Sequence, residues 1–383
     1  MTDQFADSPT DFPSRGRVAI VHDYLNQRGG AEKVVLELSN MWPEAPIYTS
    51  LYRPDSTFEA FRGRDVRTSF LDRAPVNRGF RNLFPLYPAA FWSFGEIDAD
   101  VVVASSSGWA HLARTVRGAL HVVYCHTPAR WLYRDEHLGA DRRAALLRPV
   151  GELFRRIDRR AARRADLYIA NSEGVRRRIS EAYGRDATVV WPPVEVERFT
   201  PARRGDRLLV ISRLLAYKRV GLVVAAAREL GLGLDVVGDG PLVDELRREA
   251  GLNTVFHGAA SEETVTLLLE NCSMVCVAGE EDFGLVAVEA QAAGKPVVAY
   301  RRGGSRETVV DGVTGILFEH PTVADLVAAI AACAKMTTPP QEIARSAARF
   351  NTGAFRAGIA RAIANAARGL RDSVLTTPLA ATP

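Results

Sequence analysis

The sequence predicts an α/β fold in two domains, each a parallel sheet flanked by helices. Short apolar runs alternate with stretches of helical spacing along most of the chain, as in parallel sheets. The turns after several runs are rich in glycine or small polar residues, like the ligand-facing loops of open α/β sheets. At 383 residues the chain is long for a single core, so two domains of ordinary size are expected. The boundary falls at Pro192-Pro193, where two prolines stiffen the crossing before a polar stretch that ends in PARRG at 201–205. The expected divisions are a disordered tail over 1–16, a first domain over 17–192 and a second over 193–355.

Composition narrows the function classes. Hydrophobic residues make up 47% and charged residues 25% of the chain, as in a soluble globular protein. A net charge of +4 is too weak to argue for nucleic acid, and no recognition module accompanies it. Cys125, Cys272, Cys276 and Cys333 lie in or beside apolar runs without metal-ligand spacing, which fits buried thiols in a reducing, cytoplasmic compartment. No run reaches the ~18 apolar residues of a membrane span. The tail is polar, acidic and proline-containing, unlike a signal peptide.

In chain order, Arg17–Asp23 (RVAIVHD) reads as a buried strand, followed by a glycine loop and a helix from Ala31 whose Val34, Val35, Leu38 and Met41 share a face. Gly29-Gly30 between them is either a ligand-approach loop or a plain tight turn; the GxGxxG fingerprint of dinucleotide sites is absent. Residues 43–97 are rich in aromatics and arginine without clean periodicity. Within them, Leu83–Phe94 is an apolar patch open to two readings, core packing or a lipid- or acceptor-facing surface. Strands follow at Asp100–Ser105, Leu120–Cys125 and Asp166–Asn171. Asp98 and Asp100 nominally spell DxD, but they stand at the start of a strand, away from where parallel sheets bind ligands, and read as structural.

His126 stands directly after a strand, before Thr127-Pro128 and close to Arg130 and two aromatics, which favours a functional over a structural histidine. Residues 141–165 carry nine arginines interleaved with Leu146, Leu147, Val150, Leu153, Phe154 and Ile157 at helical spacing. This is a helix with a solvated basic face, or a surface for an anionic membrane or a lipid-diphosphate acceptor. A short helix at Gly174–Ala182 and a strand at Thr188–Trp191 close the first domain.

The second domain opens with the strand Arg207–Ser212, then Arg213 and Lys218 ahead of a helix at Gly221–Leu230. A guanidinium fork and an ammonium at a strand's carboxyl end suit a diphosphate. Strands at Leu234–Val237 and Thr254–His257 each lead into glycine turns (GDGP with Gly238, HGAA after His257) that let backbone approach a flat ligand. Ser273–Val277 runs into the acidic turn Glu280–Gly284, a helix over 284–293 and a strand at Pro296–Tyr300. There the amides of Gly284 and Leu285 form a helix N-terminus suited to phosphate, between the carboxylates of Glu281 and Glu289. A glycine turn (YRRGGSRET, 300–308), an apolar run at Gly312–Phe318 and helices at Asp325–Cys333 and Asn351–Leu370 complete the chain.

EDFGLxxxE followed by AxxxGKPVV resembles the E-x7-E motif of retaining GT-B glycosyltransferases of family four. HDYLNQRGGAEKVV and SRLxxxK resemble that family's first glycine turn and diphosphate pair, and HTPxR resembles a bacterial subgroup that builds surface polysaccharides. The resemblance covers residues 17 to about 370. It implies two facing Rossmann-like domains, acceptor first and donor second, with a last helix at about 356–372 crossing back to the first.

The same resemblance implies that Gly30 approaches the donor diphosphate and that His126 lies near the transferred sugar. It makes Glu281 a sugar-hydroxyl ligand and Glu289 a ribose ligand, with Arg213, Lys218, Phe283, Gly284 and Leu285 at the donor. Gly238 and His257 fall where the nucleotide base is held, and Arg130 on the acceptor side. The subgroup often carries an aspartate just after the aromatics; here Arg134 precedes Asp135.

The implied donor is a nucleotide sugar, GDP-mannose ahead of a UDP-sugar, and the acceptor a glycan or a polyprenyl- or lipid-linked species. No resident cofactor, metal or nucleic acid is implied. Eight helical positions at 1.5 Å rise separate Glu281 and Glu289 by about 12 Å, beyond the ~5–9.5 Å of a glycosidase pair, so the two suit a clamp and not hydrolysis. Three alternatives stand beside the transferase: an epimerase of the same architecture, a non-catalytic sugar- or nucleotide-binding protein, and, resting only on the 141–165 helix, a membrane-scaffold partner in polysaccharide assembly.

Overall fold

The computed structural model describes residues 16–73, 83, 85–133 and 142–376. The expected tail over 1–16 lies outside this range apart from Gly16, as does Asp135. The chain forms two compact units, one running to Trp191 and resuming at Phe355, the other spanning Pro192–Ala354.

The first unit contains β1 (Val18–His22), β2 (Ile47–Thr49), β3 (Val66–Thr68), β4 (Glu96–Ile97), β5 (Val101–Ser106), β6 (Arg114–Thr115), β7 (Leu120–Cys125), β8 (Leu167–Ala170) and β9 (Thr188–Val189). Seven of them form one sheet in the order β3-β2-β1-β5-β7-β8-β9, all parallel, and β4 pairs with β6 apart from it. β1, β5 and β7 are buried along their whole length, which explains their continuous apolar character.

Helices cover both faces. Val34, Val35 and Leu38 of helix Gly30–Met41 pack on one face with Phe355, Ile359, Ala362 and Ile363 of helix Thr352–Thr376. Tyr87, Phe91, Trp109, Phe154 and Ile179 fill the other.

The Leu83–Phe94 patch is core in part. Tyr87, Ala90 and Phe91 are core, while Leu86 and Trp92 are exposed. Asp98 and Asp100 hold Arg17: its guanidinium nitrogens lie 2.7 Å from the Asp98 oxygens, and its amide donates to Asp100 Oδ2 at 2.7 Å. The basic helix spans Arg142–Ala162. Phe154, Asp158, Ala161 and Ala162 face inward, and Val150 and Leu153 are exposed. Arg155 and Arg159 donate to the carbonyls of Leu132 and Ala182, so part of the basic charge ties the helix to its neighbours.

The second unit contains β10 (Leu208–Ile211), β11 (Leu234–Val237), β12 (Thr254–Gly258), β13 (Met274–Val277), β14 (Val297–Tyr300) and β15 (Gly315–Phe318). They form one parallel sheet in the order β12-β11-β10-β13-β14-β15. Each sheet thus begins with the 3-2-1-4-5-6 order of doubly wound folds, and its strand order reverses once: between β1 and β5, and between β10 and β13. Ligands of such sheets bind outside the carboxyl ends of the strands at that switch point.

Candidate functional site

In the second unit the switch point joins the turn after β10 to the turn after β13. Lys218 ends the first turn, and its Nζ lies 2.7 and 2.5 Å from the two carboxylate oxygens of Glu281 in the second. Both side chains are largely buried, so the pair is shielded from bulk water. Arg213 donates to the Tyr217 hydroxyl at 2.9 Å, beside Lys218 in the same turn. The non-glycine Arg219 takes a left-handed φ of 52° at the cap of the following helix, with its guanidinium 5.0 Å from the Tyr300 ring.

Glycine lets backbones meet here. A Cβ on Gly279 would lie 2.8 Å from Lys218 Cα, one on Gly303 2.1 Å from the Glu281 carbonyl oxygen, and one on Gly304 2.2 Å from the Phe283 carbonyl oxygen. The Gly304 amide donates to the Glu281 carbonyl at 2.8 Å. Phe283 is buried with its ring against Phe350. The turn is therefore fixed from beneath by β14's own glycine turn.

The helix expected over 284–293 spans Leu285–Ala292, capped by Gly284 in the left-handed conformation at φ 94°. Glu281 lies in the turn, bridged to Gly303, and not in the helix. The helical rise therefore does not measure its distance from Glu289, and the 12 Å expectation is withdrawn. Glu289 is buried within the helix. Gly238, at φ 125°, packs on the Ser212 carbonyl beside the first turn.

His257 stands on β12 beside β11. Its Nε2 lies 2.8 Å from Asp235 Oδ1, and Arg207 Nε donates to the other oxygen of Asp235 at 2.7 Å. This polar cluster at the start of β11 engages the imidazole ring.

In the first unit Asp23, just past β1, accepts from the amides of Ser107, Trp109 and Ala110 at 2.5, 2.8 and 2.8 Å, pinning the turn after β5 across the switch point. His126 follows β7; its amide donates to the Ser106 carbonyl at 2.8 Å and its Nε2 lies 2.8 Å from Ser105 Oγ. Its ring packs edge-on at 5.2 Å against Tyr124, whose hydroxyl donates to the Val190 carbonyl at 3.0 Å. Arg130 opens a short helix and lines a cavity of about 220 Å³ with Thr127, Tyr133, Arg178 and Glu181. Gly30 is the first residue of its helix.

Sequence reasoning missed the buried polar residues behind this edge. His111 Nε2 lies 3.0 Å from the fully buried Asp158, which also accepts from the Tyr133 hydroxyl at 2.7 Å. His22 and Glu32 form a second buried pair at 3.8 Å. A glutamate in the first helical turn with an apolar partner at every neighbouring core position was the available signal for Glu32. Among the described residues no cluster of three or more His, Cys, Asp or Glu is placed to hold a metal ion. No described helix is long and apolar enough to cross a membrane.

Comparison with known proteins places both units. Residues 28–198 match the profile of Glycosyltransferase Family 4, and residues 196–350 that of Glycosyl transferases group 1. The chain is 35% identical over 230 residues to a D-inositol 3-phosphate glycosyltransferase of Geodermatophilus obscurus, covering 50% of this chain and 49% of the relative. It is 33% identical over 205 residues to a GDP-mannose-dependent alpha-(1-6)-phosphatidylinositol monomannoside mannosyltransferase of Mycolicibacterium smegmatis, covering 45% and 54%. The chain thus spans about half the length of the curated relatives it matches. Among solved structures, Anabaena HepE in complex with UDP superposes with a TM-score of 0.70 at 20% identity, over 91% of this chain and all of that one. The lipopolysaccharide outer core galactosyltransferase WaaB does so at 0.67 and 17%, over 91% and 99%. Both likenesses are of fold: two Rossmann-like parallel sheets, the GT-B architecture.

Proposed function

We propose, from the premise that the chain belongs to the GT-B glycosyltransferases of family 4 and group 1, that it moves a hexose from a nucleotide sugar to a glycan or lipid-linked acceptor with retention of configuration. The observation that carries this is the Lys218–Glu281 pair at the switch point of the second sheet, seated on three glycines.

A diphosphate arriving there competes with Glu281 for the ammonium. Once Lys218 turns to phosphate, the Glu281 carboxylate is released to accept from sugar hydroxyls. Arg213 and the amides at Gly284-Leu285 add donors where leaving-group charge develops, a role we assign to them without a metal. The C1–O bond to the diphosphate breaks, the acceptor oxygen bonds to C1 on the same face, and the acceptor's proton leaves with the diphosphate. We assign Glu289 to the ribose, Gly238 to the base side, Gly30 to the diphosphate and His126 to the sugar, with Arg130 at the acceptor cavity.

GDP-mannose is the donor we favour, in keeping with the name of the mycobacterial relative; HepE, by contrast, was solved with UDP and with UDP-glucose. We place the enzyme at the inner face of the cell membrane. The exposed Val150 and Leu153 on an arginine-rich helix support that placement, and liposome flotation with and without anionic lipid tests it.

The deciding experiment is calorimetry and donor turnover against GDP- and UDP-sugars, with and without EDTA. One donor that binds and turns over, with turnover lost in Glu281→Ala, supports the transferase. Binding with no turnover under any acceptor mixture returns the chain to a nucleotide-sugar-binding protein. No binding to any nucleotide sugar overturns the reading.

A further inference from the structure

We infer that Ser105, His22 and Glu32 form a buried chain that positions His126, and that residue 29 is glycine so that the far end of this chain can close. The inference rests on the role proposed for His126 and extends it to three residues that do not reach the sugar.

β1, β5 and β7 are neighbours in the sheet, and each contributes one link at its carboxyl end. Ser105 is fully buried, and its hydroxyl lies 2.8 Å from His126 Nε2. Its carbonyl lies 3.0 Å from His22 Nδ1. A carbonyl can only accept, so His22 carries a proton on Nδ1.

The other nitrogen, His22 Nε2, faces Glu32 at 3.8 Å. Burial disfavours a charged imidazole there. Glu32 and, less strongly, Asp23 and the Ser105 carbonyl outweigh it and raise the His22 pKa.

Glu32 is 1% exposed and receives the Gln27 amide at 3.0 Å on one oxygen. A Cβ on Gly29 would stand 2.6 Å from its other oxygen. A side chain at 29 would meet the tip of the Glu32 side chain, which would have to shift, while the same position needs no unusual backbone, its φ being −142°. The glycine loop that reads in sequence as a ligand-approach turn thus has an internal reason for its first glycine. With Tyr124 clamping the ring edge and Ser105 holding Nε2, His126 is fixed in both plane and rotation.

Turnover of the nucleotide sugar that the donor screen selects tests this in wild type, Ser105→Ala, His126→Ala and the double variant. We expect Ser105→Ala to lower kcat about tenfold, the loss of one buried hydrogen bond at the acting group, with KM for the donor within about twofold. It should add nothing on top of His126→Ala. Glu32→Gln and Gly29→Ala should lower kcat together and by less, and they carry the test if Ser105→Ala does not fold.

A merely structural serine would instead lower stability and leave the split between kcat and KM unmoved. Full kcat in Ser105→Ala beside an impaired His126→Ala overturns the inference alone, as does an equal loss with and without His126. Full kcat in His126→Ala overturns the role of His126 and the inference with it.

Discussion

At the switch point of the first sheet, the turn after β5 hangs from a side chain: the Asp23 carboxylate holds three backbone amides, and Ser105, His22 and His126 follow behind it. In the second sheet the turn after β13 rests on another backbone, with Gly303 and Gly304 where any Cβ would collide. The strand order is the same in both, but one edge is specified by buried hydrogen bonds and the other by the absence of side chains. The first edge gains fixed orientation and carries titratable groups into the core. The second carries the Lys218–Glu281 ion pair, whose ammonium is proposed to turn to phosphate when a diphosphate arrives.

The largest effect expected from this contrast is steric. Gly304→Ala should destabilise the protein by about 3 kcal/mol in chemical denaturation, because the methyl group meets backbone atoms that have nowhere to retreat. Asp23→Asn should cost about 2 kcal/mol, since one amide oxygen replaces a carboxylate that accepts three hydrogen bonds. A Gly304→Ala variant of full stability would break the comparison.

Next is acid sensitivity of the first unit. Burial, with His111 and Arg164 nearby, pushes the His121 pKa down to about 4. A histidine with a depressed folded pKa is fully accommodated above its ordinary value near 6.5, and stability falls as pH drops from there towards 4, by about 3 kcal/mol in total. His22 has the opposite sign: its raised pKa contributes stability below the ordinary value that is lost as pH rises through the folded one. Denaturation curves at pH 7 and pH 4.5 should therefore converge in His121→Leu relative to wild type. An unchanged pH slope would remove His121 as its source.

The Lys218–Glu281 pair of the second edge gives a smaller but sharper test. Lys218→Ala should weaken nucleoside diphosphate binding about thirtyfold, as expected for a lost charge-assisted hydrogen bond. Glu281→Gln should tighten free diphosphate binding a few-fold by removing its competitor, while lowering sugar transfer. Calorimetry that finds both variants weaker would show that Glu281 helps bind the phosphate and does not compete for Lys218.

The same contrast explains what was legible in the sequence. The long buried strands and the turn that carries the second unit's candidate residues could be placed because their determinants are local: Glu281, Phe283 and Gly284 fall within four residues, and glycines announce close approach wherever they stand. The polar network of the first unit could not. His126 stood out by its place after a strand, but His22 and Ser105 are 83 residues apart, Ser105 and His126 are 21, and His22 and Ser105 alone are ordinary polar residues at strand ends. β2 and β3 escaped because three-residue strands such as IYT and VRT are too short to show a period. Helices Glu262–Asn271 and Pro340–Ala347 escaped for a different reason: each buries few residues, Leu269 in the first and Ile343 and Ala347 in the second, so their apolar faces are narrow. His257 was legible as a histidine before a glycine, but its partners Asp235 and Arg207 lie on other segments and decide its role.

The smallest effect belongs to Asp98, where the sequence offers a nominal DxD. Its carboxylate pairs with Arg17 on an exposed surface at the start of β5, the end of the sheet opposite the switch-point loops. Exposed pairs of this kind contribute little because water and salt screen them. Asp98→Asn should therefore leave the melting temperature, donor turnover and response to EDTA unchanged. Turnover lost in Asp98→Asn and restored by excess manganese would instead make this a metal site. The leaving group's charge could then no longer be assigned to Arg213, Lys218 and a helix N-terminus, and the exposed amino-terminal edge of the first sheet would have to take part in the reaction. A silent substitution leaves the chemistry at the carboxyl ends, where the two edges differ in how they are built.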